Sequence, residues 1–236
     1  MLGKSRKNIH VGINYILAPI SNFDKANSLL FQSQLEEFKI EISNVSYSPN
    51  QISLFRQNQG SSFEIKLLNV APQVIQLVIL LSQPESSIEL VEEEVERIIQ
   101  AFTSVWPTNG KQLVGCDATI RTLFDSTSNH AFQDLWEKRL NHKKDELSIL
   151  GRPIQGGGIR FVLPPNTKDS DDPIIEVKIE SFLSDPSKIC VESQFIWKIP
   201  CVLKTHISAI DKINSVETYI SENIIPYIAG EYNDNR

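Results

Sequence analysis

Apolar and polar side chains alternate at the start of the chain, with the apolar ones at the odd positions of residues 9–17. A period of two predicts a β-strand. The apolar residues that follow, from Ala26 to Phe38, recur at helical spacing, and Ser21 with Asp24 three positions later resembles a capping box. The chain is therefore expected to begin with a strand and an amphipathic helix over about residues 22–37.

Four further strands are predicted at residues 39–47, 52–57, 62–68 and 74–82, each followed by turn-forming residues. A second helix is predicted to begin near Ser86 and Ser87, because apolar side chains from Ile88 to Phe102 form one face and glutamates occupy the other. Trp106 and Pro107 end it. The first 107 residues thus read as strand, helix, four strands and helix.

The same order then restarts. We predict a strand at residues 113–124, a helix capped by Ser126 or Ser128 and running to about Leu140, and strands at residues 147–150, 159–163, 174–183 and 188–199. A last helix is expected over about residues 209–228, with Pro226 shortening or kinking its final turn. Residues 1–107 and 108–236 are therefore two β-α-β4-α units.

The front ends of the two units align without gaps at an offset of 105 residues. Apolar residues match at this offset in the helices, as in Leu30 with Leu135 and Leu35 with Leu140, and in the strands, as in Val11 with Cys116. This favours an internal duplication. Joining two such units edge to edge protects strands that would otherwise be unpaired. The predicted fold is α+β: a pseudo-twofold curved antiparallel sheet with helices on one face, forming one structural domain.

This order of elements resembles the TATA-box-binding-protein-like fold over nearly the whole chain. The resemblance implies a saddle, but a minor-groove saddle needs Arg and Lys on its concave face, and these strands carry few. The resemblance in fold therefore does not imply that this chain binds DNA. The chain also resembles a sporadically distributed family of uncharacterised bacterial proteins, in its strand-helix start and in a last helix ending in acidic and aromatic residues such as Tyr227, Glu231 and Tyr232. That resemblance implies no known activity.

Composition narrows the classes of function. The net charge is −6, which counts against binding that depends on phosphate contacts, so a nucleic-acid partner is not expected. A nucleic-acid saddle would require Arg121, Arg160, Lys178 and Lys204 to gather on one side.

No segment reads as a membrane anchor or a cleaved signal, which predicts a cytoplasmic protein. Three cysteines without CxxC spacing predict neither a disulfide framework nor a zinc site.

The most unusual string is the glycine-rich segment of residues 151–158, which contains Gly156, Gly157 and Gly158. Glycine-rich loops can present backbone N–H groups to phosphate, but this one lacks the P-loop Lys-Ser/Thr and leads into a strand. A mobile strand connection is the simpler interpretation. If a ligand site exists here, Arg152 and Arg160 are its candidate anion contacts. No histidine spacing indicates a metal site, no cofactor is implied, and no catalytic residue is assigned.

The leading hypothesis is a non-enzymatic binding protein whose sheet surface engages a partner protein. Accessory proteins of this kind often serve in bacterial defence or toxin-neutralising modules. The alternative is a small-molecule or nucleotide binder that uses the seam between the two units near Gly156, Gly157 and Gly158. A deep pocket with convergent polar groups would favour that alternative. The sequence predicts no oligomeric state.

Overall fold

The computed structural model describes residues 2–21, 23–58, 60–84, 86–168 and 171–230. The first half contains β1 (Leu2–Ala18), α1 (Lys25–Glu37), β2 (Asn44–Ser48), β3 (Gln51–Asn58), β4 (Ser61–Ala71), β5 (Val74–Ser82) and α2 (Ile88–Val105). The second half contains β6 (Gln112–Ser126), α3 (Ala131–Asp134), a π-helical segment (Leu135–Arg139), a 3-10 helix (Lys144–Leu150), β7 (Gly158–Leu163), β8 (Ile174–Phe182), β9 (Asp185–Trp197), β10 (Cys201–Val202), α4 (Ile210–Tyr219), a second π-helical segment (Ile220–Ile224) and α5 (Ile225–Ala229).

All the described strands join one antiparallel sheet in the order β2-β3-β4-β5-β1-β6-β9-β8-β7, with the short β10 also pairing with β6. The two longest strands, β1 and β6, lie side by side at the centre. β5, the last strand of the first half, pairs with the outer side of β1, and β9, the last long strand of the second half, pairs with the outer side of β6. The α+β class is confirmed, and the two predicted units meet along β1 and β6.

The hydrophobic core lies on one face of this sheet. In each long strand every second residue is buried, as in Val11, Ile13 and Tyr15 of β1, and these side chains belong to one cluster that also contains the buried faces of the helices. α1 and α2 pack together through an aromatic group in which Phe31 lies 6.3 Å from Phe102 and 5.7 Å from Trp106. A single core therefore spans residues 1–107 and 108–236.

Several element ends differ from the sequence prediction. The N-cap of α1 is Asp24, whose carboxylate accepts a hydrogen bond of 2.9 Å from the N–H of Asn27, so Ser21 is not the cap. The N-cap of α3 is His130, whose Nδ1 accepts from the N–H of Gln133, in place of Ser126 or Ser128. Pro226 lies in the first turn of α5, directly after a π-helical segment.

One predicted strand was wrong. Residues 147–150 belong to the 3-10 helix that ends at Leu150, and the residue after it, Gly151, has a positive φ of 70°. The fourth strand after β6 is instead the two-residue β10, which pairs with Leu113 and Gln112. The second half thus keeps the order strand, helix, four strands and helix, with β10 in place of the strand predicted at residues 147–150.

Residues that lie 105 positions apart have matching burial in the central strands but not in the helices. Val11 and Cys116 are both buried, as the offset requires. Leu30 is 49% exposed, whereas its counterpart Leu135 is fully buried. Internal duplication therefore stays a prediction. The acidic and aromatic chain end at Glu231 and Tyr232 lies outside the described residues.

Candidate functional site

The face of the sheet opposite the core is not covered by the described helices, and we name it the open face. Since directly opposed residues of antiparallel strands point to the same side, the register assigns its members. At the centre they include Asn14 of β1, Asp117 and Thr119 of β6, and Gln194 of β9. The described helices lie on the other side, against the buried residues of the strands. The open face thus remains accessible across the whole sheet.

A row of charged side chains crosses the second half of the open face. The register places His10, Arg121, Glu192, Lys178 and Arg160 directly opposite one another on five successive strands. Both Arg121 and Lys178 donate hydrogen bonds to the Glu192 carboxylate. Burial acts to raise the pKa of Glu192, but these two hydrogen bonds outweigh it, so the pKa is lowered. Glu192 therefore holds two cations in fixed positions.

An amide and carboxylate cluster lies on the seam between β1 and β6. The Asp117 carboxylate accepts a hydrogen bond of 2.8 Å from Asn14 Nδ2 and one of 3.4 Å from Gln194 Nε2. The Oδ1 atom of Asn14 is buried and has no hydrogen-bond partner among the described residues. Three strands are thus tied together by polar side chains on the open face, and one acceptor remains unused.

The four cations named for a nucleic-acid saddle do not form a basic surface. Arg121, Lys178 and Arg160 share the open face, but Lys204 lies in the turn after β10. Arg160 is paired with Glu176 at 2.6 Å, and the other two are paired with Glu192. A phosphate approaching this row would meet cations that already form ion pairs with Glu192 and Glu176.

The three consecutive glycines lie at the outer edge of the second half and not at the seam, so the location predicted for the small-molecule site was wrong. Gly158 begins β7, the end strand of the sheet. A Cβ on Gly157 would lie 2.6 Å from Phe132 Cε2, and a Cβ on Gly158 would lie 2.3 Å from the carbonyl oxygen of Ile179. Glycine is required because the backbone passes close to its neighbours. Gly157 also accepts a hydrogen bond of 3.1 Å from the N–H of Ser181, which anchors the segment to β8.

Arg152 and Arg160 are not brought together. Arg160 belongs to the open face, whereas Arg152 lies on the helix side, in the exposed loop after the 3-10 helix. Arg152 lines a cavity of 570 Å³ between α3 with its π-helical extension and residues 147–154. The two arginines therefore cannot contact one ligand from opposite sides of the glycine segment.

This cavity combines a sizeable volume with a largely apolar lining. Its walls are mostly apolar, with Phe132 and Trp136 on one side and Leu147, Pro153 and Ile154 on the other. Its volume is typical of small-ligand sites, which combine apolar walls with a few polar groups. The polar groups at this cavity are His130, Gln133, Glu137, Ser148 and Arg152.

The cavity depends on how the chain folds locally. Trp136 is held by a stacking contact with His142, at 4.3 Å between ring centroids, and by a hydrogen bond of 3.1 Å from its Nε1 to the carbonyl of Lys143. The π-helical segment widens the turn that carries Trp136. The sequence predicted an ordinary helix running to about Leu140 and gave no sign that Phe132 and Trp136 line a cavity. Only the π-helical turn and the return of the 3-10 helix show that they line a cavity.

Other chemistry is sparse among the described residues. No group of three or more His, Cys, Asp and Glu side chains there is arranged to hold a metal ion. No helix in the described ranges is long and apolar enough to cross a membrane. Cys116 and Cys190 are buried, and burial raises the pKa of Cys190 to about 11.

Comparison with known proteins gives little further guidance. No family model matches the chain, and no curated protein matches it. Among solved structures, it is similar to the crystal structure of the Trypanosoma brucei AdoMetDC-delta26 monomer at a TM-score of 0.33 and 7% sequence identity. The matched region covers 81% of this chain and 66% of that chain. The function must therefore be argued from the surfaces described above.

Proposed function

We propose that the chain is a non-enzymatic binding protein whose open face contacts a partner protein. The observation that carries this proposal is the placement of the described helices on one side of the sheet, which leaves the opposite side uncovered. Val78 and Leu80 of β5 lie on that face in the first half and are partly exposed. The ion-paired row around Glu192 lies on it in the second half. Apolar contact area beside fixed charges is the usual composition of a protein interface.

The test compares two single substitutions on the open face with one elsewhere. Val78→Arg and Thr119→Arg place a long cation at the centre of the face. Leu29→Arg places the same side chain on α1, where Leu29 is 52% exposed. Each protein is affinity-purified gently from its own cells, and native mass spectrometry measures the bound protein. A stoichiometric partner that is lost with the two open-face variants and kept with Leu29→Arg would support the proposal. A partner retained by all three variants, or none with the unmodified chain, would contradict it.

The 570 Å³ cavity favours a second candidate function, the binding of a small amphipathic anion. An aliphatic or aromatic body would fill the space between Trp136 and Ile154. Arg152 would hold the anionic group, since none of the described residues forms an ion pair with it. This candidate retains Arg152 as an anion contact and moves the site away from the three glycines.

Calorimetry with decanoate, decylamine and decanol tests this second candidate. We expect decanoate to bind more tightly than decylamine, because the guanidinium of Arg152 has no ion-pair partner among the described residues, whereas the Glu137 carboxylate already accepts a hydrogen bond from Gln133. Arg152→Ala should weaken decanoate binding by about tenfold, or ~1.4 kcal/mol. Arg160→Ala is the matched control, since Arg160 lies on the opposite face and should leave binding unchanged. Equal affinity for the amine and the carboxylate would rule this candidate out.

A further inference from the structure

We propose that a second copy of this chain pairs with the edge strand β7, so that the two sheets join into one. This inference is independent of the function of the open face. β7 ends the sheet on the side of the second half, and Arg160, Phe161, Val162 and Leu163 are all exposed. Exposed edge strands carry unpaired N–H and C=O groups that can accept another strand.

β7 lacks most of the features that usually prevent such pairing, and its one charged residue, Arg160, is ion-paired with Glu176 of β8. Its sequence, from Gly158 to Leu163, contains no proline or lysine, and its pairing with β8 shows no bulge. Three of its side chains are among the exposed large apolar residues: Phe161 at 36%, Val162 at 55% and Leu163 at 37%. The opposite edge differs, since β2 carries Asn44, Ser46 and Ser48 at alternate positions. Only the β7 edge presents apolar side chains on both faces of the sheet.

The backbone groups that are free to pair can be identified. Ser181 donates its N–H to the carbonyl of Gly157, so the polar groups of Gly157 point toward β8. Since successive residues of a strand alternate in direction, the N–H and C=O groups of Gly158, Arg160 and Val162 point away from β8. These three residues form the outer edge of the sheet.

Symmetry restricts how a second copy can pair. A twofold axis perpendicular to the sheet keeps the helices of both copies on one side. Because directly opposed side chains share a face, this axis must pass between one residue of β7 and the same residue of the second copy, and we call it an axis through that residue. An axis through Arg160 would set two guanidinium groups directly opposite, which is unfavourable. An axis through Val162 would place Pro164, which has no N–H, opposite Arg160. An axis through Ile159 would leave Leu163 outside the paired region.

An axis through Phe161 sets Pro164 opposite Gly158 only at the two ends of the paired region, and it leaves the pairs between these ends complete. It sets Phe161 opposite its own copy, Ile159 opposite Leu163, and Arg160 opposite Val162. The first two pairs are wholly apolar and lie on the core side of the sheet. Arg160 and Val162 point their backbone groups outward, so each such pair can exchange two hydrogen bonds. The edge is therefore self-complementary in shape, polarity and hydrogen bonding, which favours a second copy over an unrelated strand.

Cysteine cross-linking tests this register, in a Cys201→Ser background because Cys201 is the one native cysteine that is not buried. In Phe161→Cys the two thiols lie directly opposite, within the Cα separation of about 4.4–6.8 Å that a disulfide needs. In the matched variant Leu163→Cys the thiols lie four residues apart along the strand, about 13 Å, since each residue advances the strand by about 3.3 Å. We expect mild oxidation to give a covalent dimer with Phe161→Cys and none with Leu163→Cys.

Light scattering on size-exclusion chromatography supplies the second measurement. The unmodified chain should elute as a dimer. Val162→Pro should elute as a folded monomer, because proline removes an outward N–H without touching the hydrogen bonds to β8. A monomeric unmodified chain, a dimer unaffected by Val162→Pro, or equal cross-linking of both cysteine variants would overturn the proposal. If Val162→Pro does not fold, the two cysteine variants still decide the question.

Discussion

The hydroxyl of Tyr15 donates a hydrogen bond of 2.7 Å to the backbone carbonyl of Ser208, which lies 193 positions later in the chain. Tyr15 is in the central strand β1 and is 1% exposed. Ser208 is in the segment before α4, so this bond ties the first strand to one of the last helices. It is one of several contacts that join the two halves on the core side of the sheet.

Tyr15→Phe should lower the free energy of unfolding by about 1–2 kcal/mol, because the partly buried carbonyl of Ser208 loses its hydrogen-bond donor. Urea denaturation followed by circular dichroism measures this change. Tyr47→Phe is the control: Tyr47 is 44% exposed, and its change should stay within about 0.5 kcal/mol. Equal losses in the two variants would show that the bond to Ser208 has no special role.

Glu96 of α2 supplies a cap for α4 across the boundary between the halves. The N-cap residue of α4, Ala209, has no side chain that can cap, and its own N–H donates at 2.9 Å to the Glu96 carboxylate. The hydroxyl of Ser208 donates to the same oxygen at 3.0 Å. Glu96→Ala should therefore cost about 0.5–2 kcal/mol of stability. Glu93→Ala, on the exposed side of α2, should cost less than about 0.5 kcal/mol in the same urea titration.

The three consecutive glycines give a packing prediction. Gly157→Ala should destabilise the protein by about 1–3 kcal/mol, because its Cβ would overlap the ring of Phe132. Phe132→Leu removes the overlapping ring atoms, so the double variant should lose less than the sum of the single losses. Thermal unfolding of the four proteins measures the coupling. Strict additivity would mean that Gly157 is glycine for another reason.

The pKa of Glu192 gives a prediction for acid. Burial opposes ionisation, yet hydrogen bonds from Lys178 and Arg121 lower the pKa below its usual 4.5. A carboxylate with a lowered folded pKa stabilises the protein above its unfolded pKa, and this contribution is lost as the pH falls through the folded value. Stability should therefore decline below about pH 4.5. Glu192→Gln should show a shallower decline in urea titrations between about pH 5 and 3. An unchanged slope would exclude Glu192 as a contributor.

The three thiols should react at different rates. Burial raises the pKa of Cys116 and raises that of Cys190 to about 11, so both stay protonated near pH 8. Cys201 is partly exposed in β10. We expect one thiol to react quickly with a chromogenic disulfide in the native protein, and three after unfolding in urea. Cys201→Ser should remove the fast phase. Rapid reaction of all three native thiols would contradict the burial of β6 and β9.

The sequence was most informative where burial alternates over a long stretch. The strands β3, β4 and β5 and the helix α2 were predicted within a few residues, because apolar side chains repeat with a period of two or 3.6 along each of them. α1 was predicted to end near residue 37, but the next strand was predicted to begin at 39. The chain instead passes through Lys39, at a φ of 59°, before β2 begins at Asn44. A lysine gives no sign of that conformation, which glycine usually adopts.

The candidate sites were less predictable, because they depend on contacts between distant parts of the chain. Three of the four residues at 147–150 are apolar, and so short an apolar stretch fits a strand or a helix equally well. The row at Glu192 requires the register of five strands, and the sequence does not specify which cation faces which carboxylate. Arg152 and Arg160 were predicted to contact one anion together, but Arg160 lies on the open face and Arg152 lines the cavity on the other side of the sheet.

The central pairing of β1 with β6 has a consequence for synthesis. The chain is made from its N-terminus, so β1 can pair with β5 once Ser82 has emerged, but its other edge stays open until Gln112–Ser126 follows. During that interval a finished half-sheet carries a long strand with one unpaired edge, and residues 9–17 of this strand are mostly apolar. Such an edge is a site of association between nascent chains. The ribosome-bound first half is therefore the species most in need of a molecular chaperone, and slow translation between residues 83 and 111 would prolong its exposure.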